Sequence, residues 1–204
     1  RTREALRRLG WETSPLLVAG STHPVEEEAV VAAFQQLRRG HPGLRLVLAP
    51  RHPERSPDAA AMLTRLGVRF ALWSKLGEGL GDRECLLVDA MGVLPAWYAF
   101  AAVCFVGGTL VPVGGHNLLE PAVHGKPSVF GPHTFHTEQS ALALVRSGGG
   151  VSVRGPEELA AVFGKLLAAP EFSRKAGEKA RETLAGLQGG IERTLAHLGP
   201  CLEV

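Results

Sequence analysis

Short apolar runs recur along the chain, and within each run the apolar residues are continuous rather than alternating. They span residues 15–20, 44–50, 68–74, 85–90, 103–108, 127–132 and 150–153. Continuous runs of this length are typical of strands that are buried on both faces of a parallel sheet. The pattern therefore predicts a largely parallel, fully covered sheet.

Segments with helical spacing separate these runs. The predicted helices span residues 24–39, 57–66, 117–124, 135–146, 157–168 and 171–187, with a last one near 191–198. The first has Pro24 and acidic residues at its start, bases in its last turn and Gly40 where it should end. Regular alternation of strand and helix predicts an α/β fold with a doubly wound, Rossmann-like parallel sheet.

The composition limits the expected binding partners and indicates the cellular compartment. The 22 Lys and Arg residues barely exceed the 20 Asp and Glu residues, and they are not clustered, so nucleic acid is not an expected partner. Cys85 and Cys104 lie in apolar runs and Cys201 is distant, which favours unpaired thiols and a reducing compartment. The 204 residues contain no apolar run of about 18 or more, so no membrane span is expected.

In a doubly wound sheet, ligands bind beyond the carboxyl ends of the strands. The first predicted strand ends in Gly20, Ser21 and Thr22 directly before a helix, where unpaired amides and hydroxyls could hold an anion. The alternative is that Ser21 or Thr22 simply caps the helix. The second strand is followed by Arg51 and His52 between two prolines, and a guanidinium there could grip a phosphate or carboxylate.

Two later strand ends carry further candidates. Met91 and Gly92 follow the fourth strand, although a methionine in an apolar setting is more often part of the core. A glycine-rich stretch, "VGGTLVPVGGHNLLEP", follows the fifth, and its Gly-Gly pairs permit close approach to the backbone. Asn117 leads into the next predicted helix, and Glu120 about one turn later could hold a vicinal diol. The alternative is a capping box between Asn117 and Glu120.

Several site classes are disfavoured. The glycines do not form the dinucleotide fingerprint Gly-x-Gly-x-x-Gly after the first strand, and no Gly-x-x-x-x-Gly-Lys-Ser/Thr phosphate loop occurs. His133 and His136 have the side chains of metal ligands, but no paired cysteines or His-Glu-x-x-His motif accompanies them. We therefore expect neither a metal centre nor a cofactor.

The segments "STHPVEEE", "PRHPER", "DAMG" and "FVGGTLVPVGGHNLLEPAVHGKPSVFGPHTFH" together resemble, in order and spacing, the C-terminal half of bacterial 3-deoxy-D-manno-octulosonic acid (Kdo) transferases. The resemblance implies one half of a GT-B type glycosyltransferase. Residues 14–204 would bind the donor CMP-Kdo, and residues 1–13 would be a linker or helical tail from an N-terminal domain. That other domain would bind the lipid A precursor, carry the catalytic base and attach to the cytoplasmic face of the inner membrane.

The resemblance also implies residue roles in an inverting, metal-independent transfer that the isolated half should not catalyse. Arg51 would stabilise the leaving group, Met91 and Gly92 would lie beside cytosine, and Glu120 would hold the ribose. The full set of expected donor-binding residues is Ser21, Thr22, Arg51, His52, Met91, Gly92, Gly107, Gly108, Thr109, Gly115, His116, Asn117 and Glu120.

One position departs from the family pattern. The family usually continues Met-Gly with Glu-Leu, whereas this chain has Val93 and Leu94. Because valine supplies neither charge nor hydrogen bonds, the base or sugar that is selected stays open at this point. The alternatives are another nucleotide-sugar enzyme, such as a UDP-sugar transferase or epimerase, or a non-catalytic nucleotide-sugar binding module.

Overall fold

A computed structural model describes residues 1–77 and 82–187. Its strands are β1 (Leu16–Thr22), β2 (Arg45–Pro50), β3 (Phe70–Leu72), β4 (Cys85–Leu87), β5 (Val103–Val106), β6 (Ser128–Phe130) and β7 (Gly150–Ser152). Its helices are α1 (Thr2–Leu9), α2 (Pro24–Arg38), α3 (Ser56–Arg65), α4 (Leu94–Tyr98), α5 (Glu120–Val123), α6 (Glu138–Ser147), α7 (Leu159–Ala168) and α8 (Pro170–Leu187). Each predicted strand segment contains a strand, while the predicted helix at 191–198 lies outside the described residues.

The strands form one parallel sheet in the order β3-β4-β2-β1-β5-β6-β7. Successive residues of β1 enter opposite cores: Leu16 and Val18 pack with α1, α4, α6 and α8, whereas Leu17 and Ala19 pack with α2, α3 and α7. Both faces are thus covered, which explains the continuous apolar runs. The prediction of a doubly wound α/β fold is confirmed.

Residues 1–13 pack onto the domain. Ala5, Leu6 and Leu9 of α1 are buried in the same core as β1, and Trp11 is buried after the helix. The Arg8 guanidinium also donates to the carbonyl oxygen of Leu76 at 3.0 Å. Therefore α1 is an integral layer of the described structure, with its basic residues on the solvent face.

Two predicted helices begin three residues later than the sequence indicated. The helix expected at 117–124 begins at Glu120, because the Asn117 side-chain oxygen accepts the backbone N–H of Leu119 in a turn that precedes it. Its N-cap is Leu119, so the capping box between Asn117 and Glu120 was a wrong interpretation, and Glu120 is the first helical residue rather than one turn inside. The helix expected from 135 begins at Glu138, because the N–H of His136 is bound by the Gly114 carbonyl oxygen.

The order of the strands reverses at β1, whose neighbours are β2 on one side and β5 on the other. Such a point leaves a crevice beyond the carboxyl ends of the strands, because the connections on the two sides run to opposite faces. The turns after β1, β2, β4 and β5 all meet there. No helix in the described parts of the chain is both long and apolar enough to span a bilayer.

Candidate functional site

A cavity of about 340 Å³ occupies the crevice. It is lined by Ser21, Ala49, Pro50, Arg51, Ala90, Met91, Gly92, Leu94, Pro95, His116, Asn117 and Glu120. Four separate strand ends supply these residues, as expected for a ligand site in this fold. One wall is polar, from Ser21, Arg51 and the loop after β5, while the segment after β4 supplies an apolar wall.

The structure brings together Ser21, Arg51, Met91, Gly92, His116, Asn117 and Glu120 from the predicted set. Thr22, His52, Gly107, Gly108, Thr109 and Gly115 do not line the cavity. Thr22 and Thr109 are fully buried, and their hydroxyls donate to Glu27 and to the carbonyl oxygen of Val106. Their side chains support the cavity from behind rather than facing a ligand. His52 is exposed, with its ring 6.1 Å from that of His23.

Ser21 is an irregularity at the end of β1. Gly20 pairs with Ala49 and Thr22 pairs with Pro50, so Ser21 is an extra residue bulged out of the ladder. Its φ is 55°, and among residues 1–77 and 82–187 it is the one non-glycine residue with positive φ. A serine in this left-handed region is strained by its Cβ. The bulge turns Ser21 into the cavity while the carbonyl oxygen of Thr22 accepts the N–H of Arg51 at 3.0 Å.

The alternative that Ser21 or Thr22 caps α2 is wrong. The N-cap residue is His23, so neither Ser21 nor Thr22 caps the helix. This leaves the Ser21 hydroxyl available on the cavity wall.

Glu26, in the first turn of α2, organises the glycine-rich loop. Its buried carboxylate accepts backbone N–H groups from His23 at 3.0 Å and from Gly108, Thr109 and Leu110, each at 2.8 Å. The close approach requires glycine at position 107, where a Cβ would lie 2.4 Å from the Ser21 carbonyl oxygen. The amides of this loop therefore bind the protein's own carboxylate, an arrangement that sequence reasoning missed.

The glycine-rich loop also fixes the position of the segment that lines the cavity. The carbonyl oxygens of Gly107 and Gly108 accept the N–H groups of His116 and Gly115 at 3.2 and 2.7 Å. Thus Gly107, Gly108 and Gly115 act on the cavity by fixing the segment that contains His116. The signal in the sequence was the pair of acids in the first turn of α2, which read as ordinary helix-start residues.

The second acid of that turn, Glu27, is buried beside the same junction. It accepts hydrogen bonds from the Thr22 hydroxyl at 3.3 Å and from the Arg55 guanidinium at 3.4 Å. Burial raises the pKa of its carboxyl, while Arg55 and Thr22 oppose that rise. Glu27 therefore joins the end of β1 to the turn that follows β2.

The site is rich in basic groups. Partial burial, together with nearby His23, Arg51 and His52, lowers the pKa of His116 to about 4. Burial also raises the pKa of the Glu120 carboxyl, and Arg51 opposes that rise. Arg51 acts on both groups as a positive charge at the cavity wall, and a fixed positive charge there favours an anionic ligand.

Two further residues near the end of β4, Val93 and Asp89, lie outside the cavity wall. Val93 is not part of the cavity wall, because its side chain packs against the core beside α4. Asp89, at the end of the fourth predicted strand, accepts hydrogen bonds from the backbone N–H and hydroxyl of Ser74. Val93 therefore contributes no group to the cavity surface of this chain.

The cysteines and possible metal ligands can be placed as well. Cys85 and Cys104 are buried unpaired thiols, as predicted, and burial raises the pKa of both. Within residues 1–77 and 82–187, no group of three or more His, Cys, Asp or Glu residues is arranged to hold a metal ion. The absence of a metal requirement stays a prediction.

The chain was then compared with known proteins. It is 33% identical over 201 residues to a 3-deoxy-D-manno-octulosonic acid transferase of Haemophilus influenzae, covering 98% of this chain and 47% of that protein. It is 34% identical over 166 residues to the transferase of the same name from Aquifex aeolicus, covering 81% of this chain and 45% of that protein. This chain belongs to the Kdo transferase family. It spans about half the length of these curated relatives.

A solved structure covers the same half. The C-terminal CMP-Kdo binding domain of WaaA from Acinetobacter baumannii superposes with a TM-score of 0.82 at 28% identity, covering 89% of this chain and 95% of that domain. The fold is that of one half of a GT-B glycosyltransferase. No family model matches the chain. The resemblance inferred from the sequence motifs is confirmed.

Proposed function

We propose that this chain is the donor-binding domain of a Kdo transferase and that its cavity holds CMP-Kdo. The observation that carries the proposal is the meeting of Arg51, His116, Asn117 and Glu120 in one cavity at the switch point of the sheet. Support comes from the family membership and from the coverage of a CMP-Kdo binding domain over nearly its whole length.

Each part of the donor has a chemically suitable wall. The phosphate lies against Arg51, whose guanidinium can donate two parallel hydrogen bonds, with the Ser21 hydroxyl beside it. The cytosine lies on the apolar segment that contains Met91, Gly92 and Pro95. The Glu120 carboxylate accepts hydrogen bonds from the two ribose hydroxyls.

In the proposed reaction, the bond between the anomeric carbon of Kdo and the phosphate oxygen breaks, and CMP leaves with the electron pair. The acceptor hydroxyl of the lipid A precursor forms the new bond to that carbon, with inversion, and gives its proton to a base outside this chain. Arg51 and the basic groups around it stabilise the charge that develops on the leaving phosphate. Preorganised electrostatics of this kind is usually the largest catalytic contribution.

The proposal also covers the other half of the protein and the metal requirement of the reaction. The acceptor site, the catalytic base and a peripheral attachment to the cytoplasmic face of the inner membrane reside in the other half of the protein. The isolated domain binds donor without transferring it. Because the leaving group is a phosphate monoester flanked by Arg51, transfer proceeds without a metal ion.

Calorimetric titration tests the proposal. The chain is titrated with CMP, UMP and UDP without added metal, and we expect CMP to bind more tightly than the uridine nucleotides. Preference for UDP would instead favour a UDP-sugar enzyme. Binding of CMP-Kdo that stays unproductive when the acceptor half is supplied would favour a non-catalytic binding module.

A further inference from the structure

Two histidines from distant parts of the chain face each other at the edge of the cavity. The Nε2 atoms of His23 and His116 are 3.0 Å apart, the ring centroids are 5.3 Å apart and the ring planes differ by 6°. At this distance, two N–H groups cannot point at each other. One ring must therefore donate through Nε2–H while the other accepts with an unprotonated Nε2.

The surroundings of His23 decide which ring donates. His23 and Glu26 form a capping box, in which the His23 side chain faces the backbone N–H of Glu26 and the Glu26 carboxylate accepts the N–H of His23 at 3.0 Å. Since Nε2 of His23 faces His116, the nitrogen that faces the Glu26 N–H is Nδ1, and two N–H groups cannot face each other there. A neutral imidazole with an unprotonated Nδ1 carries its hydrogen on Nε2. His23 is therefore the donor of the pair.

His116 must then be the acceptor, and its own hydrogen lies on Nδ1. Its Cδ2 and Nε2 atoms form the edge that faces Gly108, where a Cβ would come within 2.8 and 3.0 Å of them. Nδ1 lies on the opposite edge of the ring. Because His116 also lines the cavity, Nδ1–H is the donor that it can offer to a ligand.

Burial, and after it the charged neighbours, keep this pair neutral. Arg51 and His52 act on both rings, and Arg55 acts on His23, so an added proton would meet like charge from several elements. Glu26 favours a charged His23, but the backbone N–H groups described above already occupy its carboxylate oxygens. Protonation of His116 would also place two N–H groups against each other and break the contact.

We propose that His23 is a positioning residue that holds His116 neutral with its hydrogen on Nδ1, so that His116 donates this N–H to an oxygen of the bound sugar nucleotide. The second half of this statement rests on the function proposed above. The first half concerns the chain without any ligand. The two halves can therefore be tested separately.

Nitrogen-15 NMR of the histidine rings, recorded on the unliganded chain, tests the first half. The His116 signals are identified by their loss in His116→Asn. In the unsubstituted chain we expect the Nδ1–H tautomer of His116 and no titration between about pH 5 and 8. In His23→Leu, which has no donor, we expect the Nε2–H tautomer that exposed imidazoles favour, with titration inside that range.

Two further variants separate this role from simple support of the fold. In His23→Gln the side-chain amide can still donate to Nε2 of His116, so the Nδ1–H tautomer should persist. His41→Gln, in the turn after α2, should leave the His116 signals unchanged. An Nε2–H tautomer of His116 in the unsubstituted chain, or the same tautomer in His23→Leu as in that chain, would overturn the proposal.

Titration with CMP tests the second half. Loss of one properly presented hydrogen bond should weaken binding about fivefold in His23→Leu, and His23→Gln should restore it. If the NMR result is as expected and all three proteins bind CMP equally, His116 is not a donor to the nucleotide. If none of them binds CMP, the proposed function fails while the NMR result still decides the role of His23.

Discussion

The Glu26 carboxylate accepts the backbone N–H of Gly108 at 2.8 Å across 82 positions of sequence. Through this contact, the first turn of α2 holds the loop after β5, and that loop in turn holds His116 against the cavity. The glycines of the loop serve this close packing of protein on protein. Glu26 thus links the start of α2 to the loop after β5, which supplies part of the cavity wall.

Replacing Glu26 should damage both the fold and the cavity. In Glu26→Gln, the amide nitrogen would face backbone N–H groups that need an acceptor, and an unsatisfied buried group costs about 1–3 kcal/mol. We expect the free energy of unfolding in urea to fall by about this amount and the affinity for CMP to fall with it. Glu28→Gln, at an exposed neighbour that pairs with Arg65, should leave both quantities unchanged. An unaltered stability of Glu26→Gln would contradict the assignment.

Because Ser21 has a strained conformation, variants at this position should change the stability of the fold and the affinity for CMP in different ways. Ser21→Gly removes the Cβ from a left-handed residue and should raise the free energy of unfolding by about 1 kcal/mol. Ser21→Ala keeps the Cβ and should bring no such gain. Because both variants lack the hydroxyl on the cavity wall, both should bind CMP more weakly. A glycine variant that is more stable and binds CMP normally would remove Ser21 from the site.

Arg51 and Glu120 should each be required for nucleotide affinity. We expect Arg51→Ala and Glu120→Ala to weaken CMP binding at least tenfold, or about 1.4 kcal/mol, because each removes a charged partner of the ligand. Circular dichroism should show an unchanged fold, since both side chains are partly exposed on the cavity wall. Arg65→Ala, on the solvent face of α3, is the matched control. Unchanged affinity in both cavity variants would refute the site.

The histidine pair should make the fold sensitive to mild acid. The pKa of His116 is lowered to about 4 by burial and by its basic neighbours, and burial also lowers the pKa of His23. The unfolded chain therefore binds more protons than the native chain between about pH 6.5 and 4, so their contribution to stability falls as the pH is lowered through that window. Urea midpoints measured across the window should fall less steeply in His116→Asn than in the unsubstituted chain. Equal slopes would show that the pair is not the source.

Position 93 provides a test of base selectivity. Since Val93 packs against the core rather than lining the cavity, Val93→Glu should not change the ratio of CMP to UMP affinity. Met91→Ala, at an exposed residue of the cavity wall, should weaken binding of both nucleotides because it removes apolar contact with the base. A selectivity that changes in Val93→Glu would mean that this side chain reaches the nucleotide.

The regular pattern of the chain made much of the fold predictable. Leu16 to Ala19 are apolar at every position because alternate residues enter different cores, and this marks a parallel sheet covered on both faces. Helix α2 was predictable within one residue, since Pro24, the acids after it and the bases at its end are local signals. Helix α5 was not, because the turn made by Asn117 competes locally with the helix.

The sequence by itself determined the family, the alternation of strands and helices, and the strand ends at which a ligand would bind. Those strand ends made four site residues predictable: Arg51, Met91, His116 and Glu120. Only the tertiary structure decided that the amides of Gly108 and Thr109 are occupied by Glu26, that Ser21 is strained into the cavity and that His23 meets His116. The contacts of Glu26 and of His23 join residues far apart in the chain, at distances of about 3 Å that no local pattern of side chains encodes, and the bulge at Ser21 arises where β1 pairs with β2.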